Sequence, residues 1–242
     1  MRWADDGIFL AGRPFGETSV IADIFTREHG RTHGLVKGGR SRRIRPLLQT
    51  GNTLKVEWRA RLDEQLGVYT VELAAPTAAK VLDDRIALAG VNSLAALLQV
   101  LPERDPHAKL FDAAICCLET AGSGAFPAQI IRFEVIYLDE LGFGLDLSRC
   151  AASGRRDNLA FVSPRSGRAV SREAGEAYRE KLLRLPDFLL QSREASVPGI
   201  RDVIDGLSMT GYFLREHVFS ESGRQMPKAR EEFTRFLLNS SI

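Results

Sequence analysis

The chain has 242 residues, a formal net charge of +2 and 44% hydrophobic residues, which is enough to bury a core. No apolar run reaches membrane-spanning length, the first residues carry acids where a secretory signal is apolar, and two of the three cysteines are adjacent, unlike a disulfide framework. These features exclude the membrane, secreted, fibrous and disordered classes and predict a cytoplasmic protein.

The first part of the chain has the period of β-strands. Apolar and charged side chains alternate over residues 54–62, which predicts one buried and one charged face. Five strands are predicted, at 7–10, 18–26, 31–36, 54–62 and 66–73, with a hairpin turn at 63–65. Five strands in roughly seventy residues are typical of a small closed barrel, of which the OB-fold is the commonest candidate.

From Pro76 onwards the hydrophobic period is that of helices. Helices are predicted at 82–101, 108–121, 127–141, 171–184, 200–218 and 227–238. Residues 145–171 are irregular and contain a short hairpin across 159–162 and 168–170. The predicted fold class is therefore α+β, with a five-stranded OB-fold β-barrel (residues 1–75) followed by an all-α helical domain (76–242) that carries this small insertion.

Positive charge is unevenly distributed along the chain. Basic residues are about twice as numerous as acidic ones over residues 1–61, acids prevail over 76–142, and a second basic stretch covers 149–184. Segregation of this kind is typical of proteins that bind a polyanion. A solvated, arginine-rich surface explains the composition equally well.

The densest cluster of cations follows the third predicted strand. Five basic residues lie within 37–45, and Gly38 and Gly39 allow the backbone to approach a ligand closely. Such a loop neutralises phosphates without reading bases, and cations on the fourth strand extend the track. The predicted DNA-binding residues are Arg31, Lys37, Arg40, Arg42, Arg43, Arg45, Lys55, Arg59 and Arg61. The alternative is a flexible, solvated turn.

Three aromatic residues are candidates for stacking on bases across the barrel: Phe15, Phe25 and Tyr69. For each of them we favour a place in the hydrophobic core. No catalytic constellation accompanies them, because the four histidines are scattered and lack the partners of a metal site. The sequence thus predicts a binding protein that is not an enzyme and has neither a metal nor another cofactor.

The chain resembles the RecO family of bacterial recombination mediators along essentially its whole length. In the barrel, the motifs that carry the resemblance are Trp3 with Gly7-Ile8, Gly16-Glu17-Thr18-Ser19, Phe25-Thr26-Arg27-Glu28-His29-Gly30, Val36-Lys37-Gly38-Gly39-Arg40-Ser41 and Leu48-Gln49-Thr50-Gly51-Asn52. Farther on they are Arg132-Phe133-Glu134, Leu141-Gly142-Phe143, Leu145-Asp146-Leu147-Ser148-Arg149-Cys150 and Ser163-Pro164-Arg165-Ser166-Gly167. The early motifs are the more specific ones.

This resemblance implies a nucleoid-associated DNA repair protein that binds single- and double-stranded DNA and anneals complementary strands. Its implied partners are the single-stranded-DNA-binding protein and RecR, with which it would help to load RecA on gaps. Arg132 matches a family position associated with the acidic tail of the single-stranded-DNA-binding protein. The alternative for Arg132 is an intramolecular pair with Glu134, Asp139 or another acid.

Some members of the family carry zinc on two Cys-x-x-Cys pairs, and this chain departs from that pattern within its zinc-finger-like loop region, 145–171. Cys150 keeps the first position, whereas Ser153, Ser171 and Ala174 occupy the others. Hydroxyl and methyl groups do not replace thiolates, so we expect no zinc and a buried Cys150. The arginines of this region (Arg155, Arg156, Arg165 and Arg168) are either a second DNA surface or solvated loop residues, and we favour the latter.

Two other functions remain open at this point. An RNA-binding or ribosome-associated OB-fold protein would have a similar barrel, and its affinity would depend on the 2′-hydroxyl. A nuclease would cleave DNA in the presence of magnesium or manganese.

Overall fold

A computed structural model describes residues 1–62, 65–190, 197–220 and 223–240. The chain forms two compact units, Met1–Gly122 and Ser123–Ile242. The predicted α+β class is confirmed. The predicted turn at 63–65 lies outside the described residues except for Gln65.

The first unit begins with a closed five-stranded barrel. Its strands are β1 (Arg2–Phe15), β2 (Ser19–Thr26), β3 (Gly30–Val36), β4 (Thr53–Arg59) and β5 (Gly67–Ala75). They are ordered β1-β2-β3-β5-β4 around the barrel, and all neighbours are antiparallel except β3 and β5. The predicted OB-fold barrel is confirmed.

Strand β1 is much longer than the predicted strand at 7–10. Its first half pairs with β4 and its second half with β2, with a bulge between Phe9 and Ala11 where it bends from one neighbour to the other. Charged residues and Pro14 interrupt the alternation on both sides of the predicted segment, so only the buried centre of the strand is visible in the sequence.

The barrel encloses one apolar core. Its buried members are Phe9, Ala22, Ile24, Val36, Leu48, Leu54, Val56, Trp58, Tyr69 and Val71. Leu48 comes from the loop between β3 and β4, and the half-buried Ile44 and Leu47 of the same loop pack against the cluster. Burial of such side chains stabilises the fold by about 1.5–3 kcal/mol each. The loop is therefore fixed to the end of the barrel by its own apolar residues.

Three helices complete the first unit: α1 (Thr77–Val81), α2 (Arg85–Leu98) and α3 (Ala108–Glu119). The Asp84 carboxylate caps α2 by accepting hydrogen bonds from the next turn. On α3, Asp112 accepts two hydrogen bonds of 2.9 Å from the Arg27 guanidinium. These helices lie in the same compact unit as the barrel, and the division of the chain at residue 75 stays a prediction.

The second unit combines helices with a small sheet. Its helices are α4 (Phe126–Glu140), α5 (Arg172–Gly175), α6 (Ile200–Phe213) and α7 (Lys228–Ser240), and a π-helical segment, Leu214–Ser220, continues α6. The sheet contains β6 (Leu159–Val162), β7 (Ala169–Ser171) and β8 (Leu183–Arg184) in the order β7-β6-β8. The predicted hairpin is confirmed as β6 and β7.

The predicted helix over 171–184 is wrong beyond its first turn. The Ser171 hydroxyl does cap α5, but the helix ends at Gly175, and a 3₁₀ segment, Glu176–Lys181, follows. A Cβ atom on Gly175 would lie 2.5 Å from the Phe161 ring, so this turn must press directly on β6. The chain then pairs with β6 as β8, a tertiary contact that outweighs helical propensity.

Two charged residues are buried together in the second unit. Glu134 on α4 is fully buried, and Arg230 on α7 donates to both its oxygens at 3.1 Å. The Thr210 hydroxyl on α6 also donates to Glu134, and Arg230 donates to the Leu207 carbonyl at 2.7 Å. The pair thus joins three helices through satisfied hydrogen bonds. Among the described residues, no helix has the length and hydrophobicity needed to cross a bilayer.

Candidate nucleic-acid interface

The loop after β3 is an ordered series of turns. Gly38 adopts the left-handed conformation (φ +66°), and hydrogen bonds of 2.9 Å run from Ser41 N to Gly38 O and from Arg45 N to Ser41 O. A Cβ atom on Gly39 would lie 2.9 Å from the Val20 Cβ, so a glycine lets the loop pack tightly on β2. In this conformation the loop is held by backbone hydrogen bonds and by packing on β2.

Five cations extend outwards from this loop, which we call the basic loop (residues 37–45). All five are exposed: Lys37, Arg40, Arg42, Arg43 and Arg45. Arg40, Arg42 and Arg45 line a concavity of about 370 Å³ together with Pro46 and Gln49. Within the described parts of the chain, no carboxylate lies within 4.0 Å of these five cationic groups. Their charge is therefore available to an anion.

The turn between β1 and β2 is bonded directly to the basic loop. The Arg40 amide donates to Thr18 O at 2.9 Å, and the Arg40 guanidinium donates to Glu17 O, also at 2.9 Å. The two loops thus form one edge of the barrel.

The Arg31 side chain is bonded to groups in the interior of the first unit. It is only 17% exposed and pairs with Asp23 at 3.0 Å. It also donates to the carbonyls of Gln99 and Leu101 at 2.7 and 2.8 Å. These bonds tie β3 to the segment after α2, and the structure does not bring Arg31 together with the basic loop.

The cations of β4 lie among acids. Lys55 is opposite Asp6 on β1 and Glu72 on β5. Arg59 is exposed at the end of the strand, where it pairs with Val68 of β5, which in turn pairs with Leu35 of β3. Arg61 follows it and is exposed as well. The outer face of β4 therefore has mixed charge.

The three aromatic candidates for base stacking differ in their exposure to solvent. Phe25 is fully buried and Tyr69 is 3% exposed, as expected for core residues. The core assignment of Phe15 is wrong, because its side chain is 52% exposed. β1 and β2 meet in a tight hairpin, and Phe15 pairs with Ser19 at its tip, one pair beyond the Val20–Val36 pair that ends the ladder of β2 with β3. The adjacent Pro14 and Gly16 are the turn signal in the sequence that could have indicated this position.

Cys150 is buried, as expected, and hydrogen bonds surround it. Its Sγ accepts from Ser171 N at 3.2 Å and contacts the Ser171 hydroxyl at 3.4 Å. The same hydroxyl accepts from Ala174 N at 3.4 Å. Three of the four positions expected from the zinc pattern are thus neighbours held by hydrogen bonds. The part of the chain that the structure describes contains no group of three His, Cys, Asp or Glu side chains suited to a metal ion.

Arg132 is half-buried on α4, where it contacts Phe188. Its guanidinium donates to the Phe188 carbonyl at 3.0 Å and lies 5.3 Å from the centre of the Phe188 ring. Glu134, one of the acids considered as its partner, is bonded instead to Arg230.

Comparison with known proteins assigns the family. The family model described as recombination protein O N terminal matches residues 1–77, and the one described as recombination protein O C terminal matches 82–225. The chain belongs to the RecO family. It is 50% identical over 238 residues to the DNA repair protein RecO of Methylobacterium nodulans, with 96% of each chain covered. The RecO proteins of Rhodospirillum centenum and Rhizobium etli are 47% and 46% identical, over 96% and 99% of this chain and 93% and 94% of theirs.

The family models divide the chain close to the end of the barrel, between residues 77 and 82. The basic loop lies entirely within the N-terminal match, and Arg132 and Cys150 lie within the C-terminal one. This RecO-family chain is accordingly a DNA repair protein, and the resemblance identified from the sequence motifs is confirmed.

Proposed function

We propose that this RecO-family protein binds single- and double-stranded DNA through the basic loop and anneals complementary strands. With RecR, it would help to load RecA on gaps covered by the single-stranded-DNA-binding protein, at the nucleoid. The observation that carries the DNA-binding proposal is the ordered basic loop, whose five exposed cations have no carboxylate within ion-pair distance among the described residues.

The proposed mechanism is electrostatic. Cations that contact phosphates release the counterions condensed on DNA, which favours binding and makes it salt-dependent. When two strands are neutralised in this way, their mutual repulsion falls and complementary bases can pair. Phosphate contacts carry no base information, so binding is independent of sequence. This chemistry requires no catalytic group.

The proposed DNA surface is smaller than the set predicted from the sequence. It consists of Lys37, Arg40, Arg42, Arg43 and Arg45. Arg31 is left out because its guanidinium is satisfied by Asp23 and two carbonyls. Lys55, Arg59 and Arg61 lie on and just after β4, where the outer face has mixed charge, and their contribution is measured independently in the experiment below.

The decisive experiment is a salt titration of DNA affinity with Lys37→Glu, Arg40→Glu and Arg43→Glu combined. Loss of three phosphate contacts lowers the slope of log K against log salt by about 2 for a single strand, at about 0.7 per contact. The matched control carries Lys80→Glu, Lys228→Glu and Arg235→Glu, three exposed cations elsewhere, and has the same change in net charge.

A third variant reverses the charge of Lys55, Arg59 and Arg61. We expect it to change the slope of log K against log salt less than the basic-loop variant does. An unchanged slope in the basic-loop variant, or equal losses in all three variants, refutes the proposed surface. Matched DNA and RNA oligonucleotides belong in the same titration, since tighter binding to RNA would favour an RNA-binding function. Incubation of labelled DNA with magnesium or manganese tests for cleavage, and we expect none.

The proposed contact with the acidic tail of the single-stranded-DNA-binding protein rests on Arg132. Its guanidinium has a planar set of donors suited to a carboxylate, and one of them is bonded to the Phe188 carbonyl. A pull-down of DNA-repair partners with the wild type and Arg132→Ala tests this. Retention of the single-stranded-DNA-binding protein by both would exclude Arg132 from the contact, and Arg235→Ala serves as the control for loss of an exposed arginine.

A further inference from the structure

We propose that Phe15 stacks on an unpaired base next to the basic loop and thereby gives the protein a preference for single-stranded over double-stranded DNA. This inference rests on the proposed DNA-binding function and adds to it a contact with bases. The basic loop by itself explains attraction to any polyanion, whereas an aromatic contact distinguishes strands whose bases are free.

Phe15 is placed where a ligand can reach it. It is the last residue of β1 and pairs with Ser19, the first residue of β2, across a tight turn in which Gly16 has a φ of +57°. More than half of its side chain is in contact with solvent. Phe25 and Tyr69, the other aromatic candidates, are in the core, so neither can stack on a ligand.

The ring is also close to the cations. Arg40 holds the turn through the carbonyls of Glu17 and Thr18, and Glu17 is two residues from Phe15. Two residues of extended chain span at most about 7 Å, so the backbone of Phe15 lies within about one or two nucleotide spacings of the Arg40 contact. Arg13 is exposed on the same face of β1 as Phe15, because side chains two apart in a strand share a face.

A base is the ligand that fits this combination of a bare ring and nearby cations. A phenyl ring has no hydrogen-bonding group, so it recognises the flat face of a base and is indifferent to base identity. In a duplex these faces are already stacked on their neighbours, and the ring reaches a base only at an end or a gap. A single strand presents every base.

The experiment compares the affinities of Phe15→Ala for a single-stranded oligonucleotide and for a blunt duplex. Stacking on one base is worth about 1–3 kcal/mol, which corresponds to about 5- to 150-fold in affinity. We expect a loss of about ten-fold for the single strand, a change below about two-fold for the duplex, and an unaltered salt slope. Phe15→Tyr should retain the affinity and Phe15→Leu should lose it, because only the former keeps a ring.

Tyr178→Ala is the matched control, since Tyr178 is exposed to a similar extent in the second unit. The inference is overturned if Phe15→Ala binds the single strand as tightly as the wild type, if Phe15→Leu retains full affinity, or if the duplex loses as much affinity as the single strand. The basic-loop variant separates this failure from that of the proposed function: it lowers the salt slope whether or not Phe15 contributes. If neither variant weakens binding, both proposals fail.

Discussion

The buried pair of Arg230 and Glu134 provides the sharpest test of the second unit. Arg230→Ala removes both hydrogen bonds from the guanidinium to the Glu134 carboxylate and the one to the Leu207 carbonyl. Glu134 is then left fully buried with the Thr210 hydroxyl as its remaining side-chain donor. We expect a large loss of stability because a charge without its partner is costly in an apolar interior.

The magnitude follows from the burial of both partners. Removing one member of a buried pair costs about 3–5 kcal/mol, whereas an exposed pair contributes about 0–1 kcal/mol. Arg230 is 5% exposed and Glu134 is 0% exposed, so the larger figure applies. A typical domain is stable by only about 5–15 kcal/mol, so the variant would lose a substantial fraction of that stability. Replacement of both residues, Arg230→Met with Glu134→Leu, should cost much less, because no charge is left unpaired.

The assay is urea unfolding of the full chain followed by circular dichroism, together with hydrogen exchange of peptides from α4, α6 and α7. Faster exchange should be confined to these three helices, and barrel peptides should be unaffected. The control is Arg235→Ala, one turn farther along α7, where the arginine is exposed and pairs with Glu232 at 3.6 Å. A loss below about 1 kcal/mol for Arg230→Ala, or a double variant as unstable as the single one, would refute the reasoning.

Three further predictions concern the remaining charged and metal positions. Arg31→Gln should destabilise the first unit in urea without altering the salt slope of DNA binding, because its guanidinium bonds only within that unit in the contacts described above. The Arg27 guanidinium lowers the pKa of Asp112 by hydrogen bonding to its carboxylate. This pair therefore stabilises the fold above the ordinary carboxyl pKa, and the stabilisation is lost as the pH falls through the lowered pKa. In Arg27→Gln, NMR titration should show the Asp112 pKa return towards its usual value. Cysteines introduced at Ser153, Ser171 and Ala174, beside Cys150, should create a site that retains one zinc ion per chain, as measured by elemental analysis. Zinc bound by the wild-type chain would contradict our expectation that it binds none.

The barrel could be predicted because its strands show a local alternation of apolar and polar residues. Residues 54–59 alternate regularly, and the inward set of Leu54, Val56 and Trp58 is buried as the pattern requires. The N-terminal end of β1 and the whole of β8 could not be predicted in this way. Both are defined by pairing with a partner strand distant in the sequence, and neither has an alternation long enough to be recognised.

The candidate site was predictable as a region and only partly as a set of side chains. Arg31 and Arg40 lie in the same basic stretch and look alike in the sequence. They differ because Asp23 and the carbonyls after α2 surround one guanidinium, while the other extends from an exposed loop and has no ion pair with a carboxylate of the described residues. Lys55 has acids opposite it on both neighbouring strands, and that register exists only once the barrel has closed. Charge density in a sequence therefore locates a binding surface but does not say which charges are free.

The way in which the basic loop is held bears directly on its affinity for DNA. Flexible cations must lose conformational freedom when they bind, and this entropy is subtracted from the electrostatic gain. Here Leu48 lies in the barrel core, Gly39 packs against β2 and the Arg40 amide is bonded to the neighbouring turn, so the backbone is ordered before DNA arrives. Only the side chains remain to be fixed. Gly39→Ala should consequently weaken DNA binding without any change of charge, because the added Cβ would lie 2.9 Å from Val20 and displace the loop. Equal affinity of this variant and the wild type would show that the position of the loop backbone does not matter for binding.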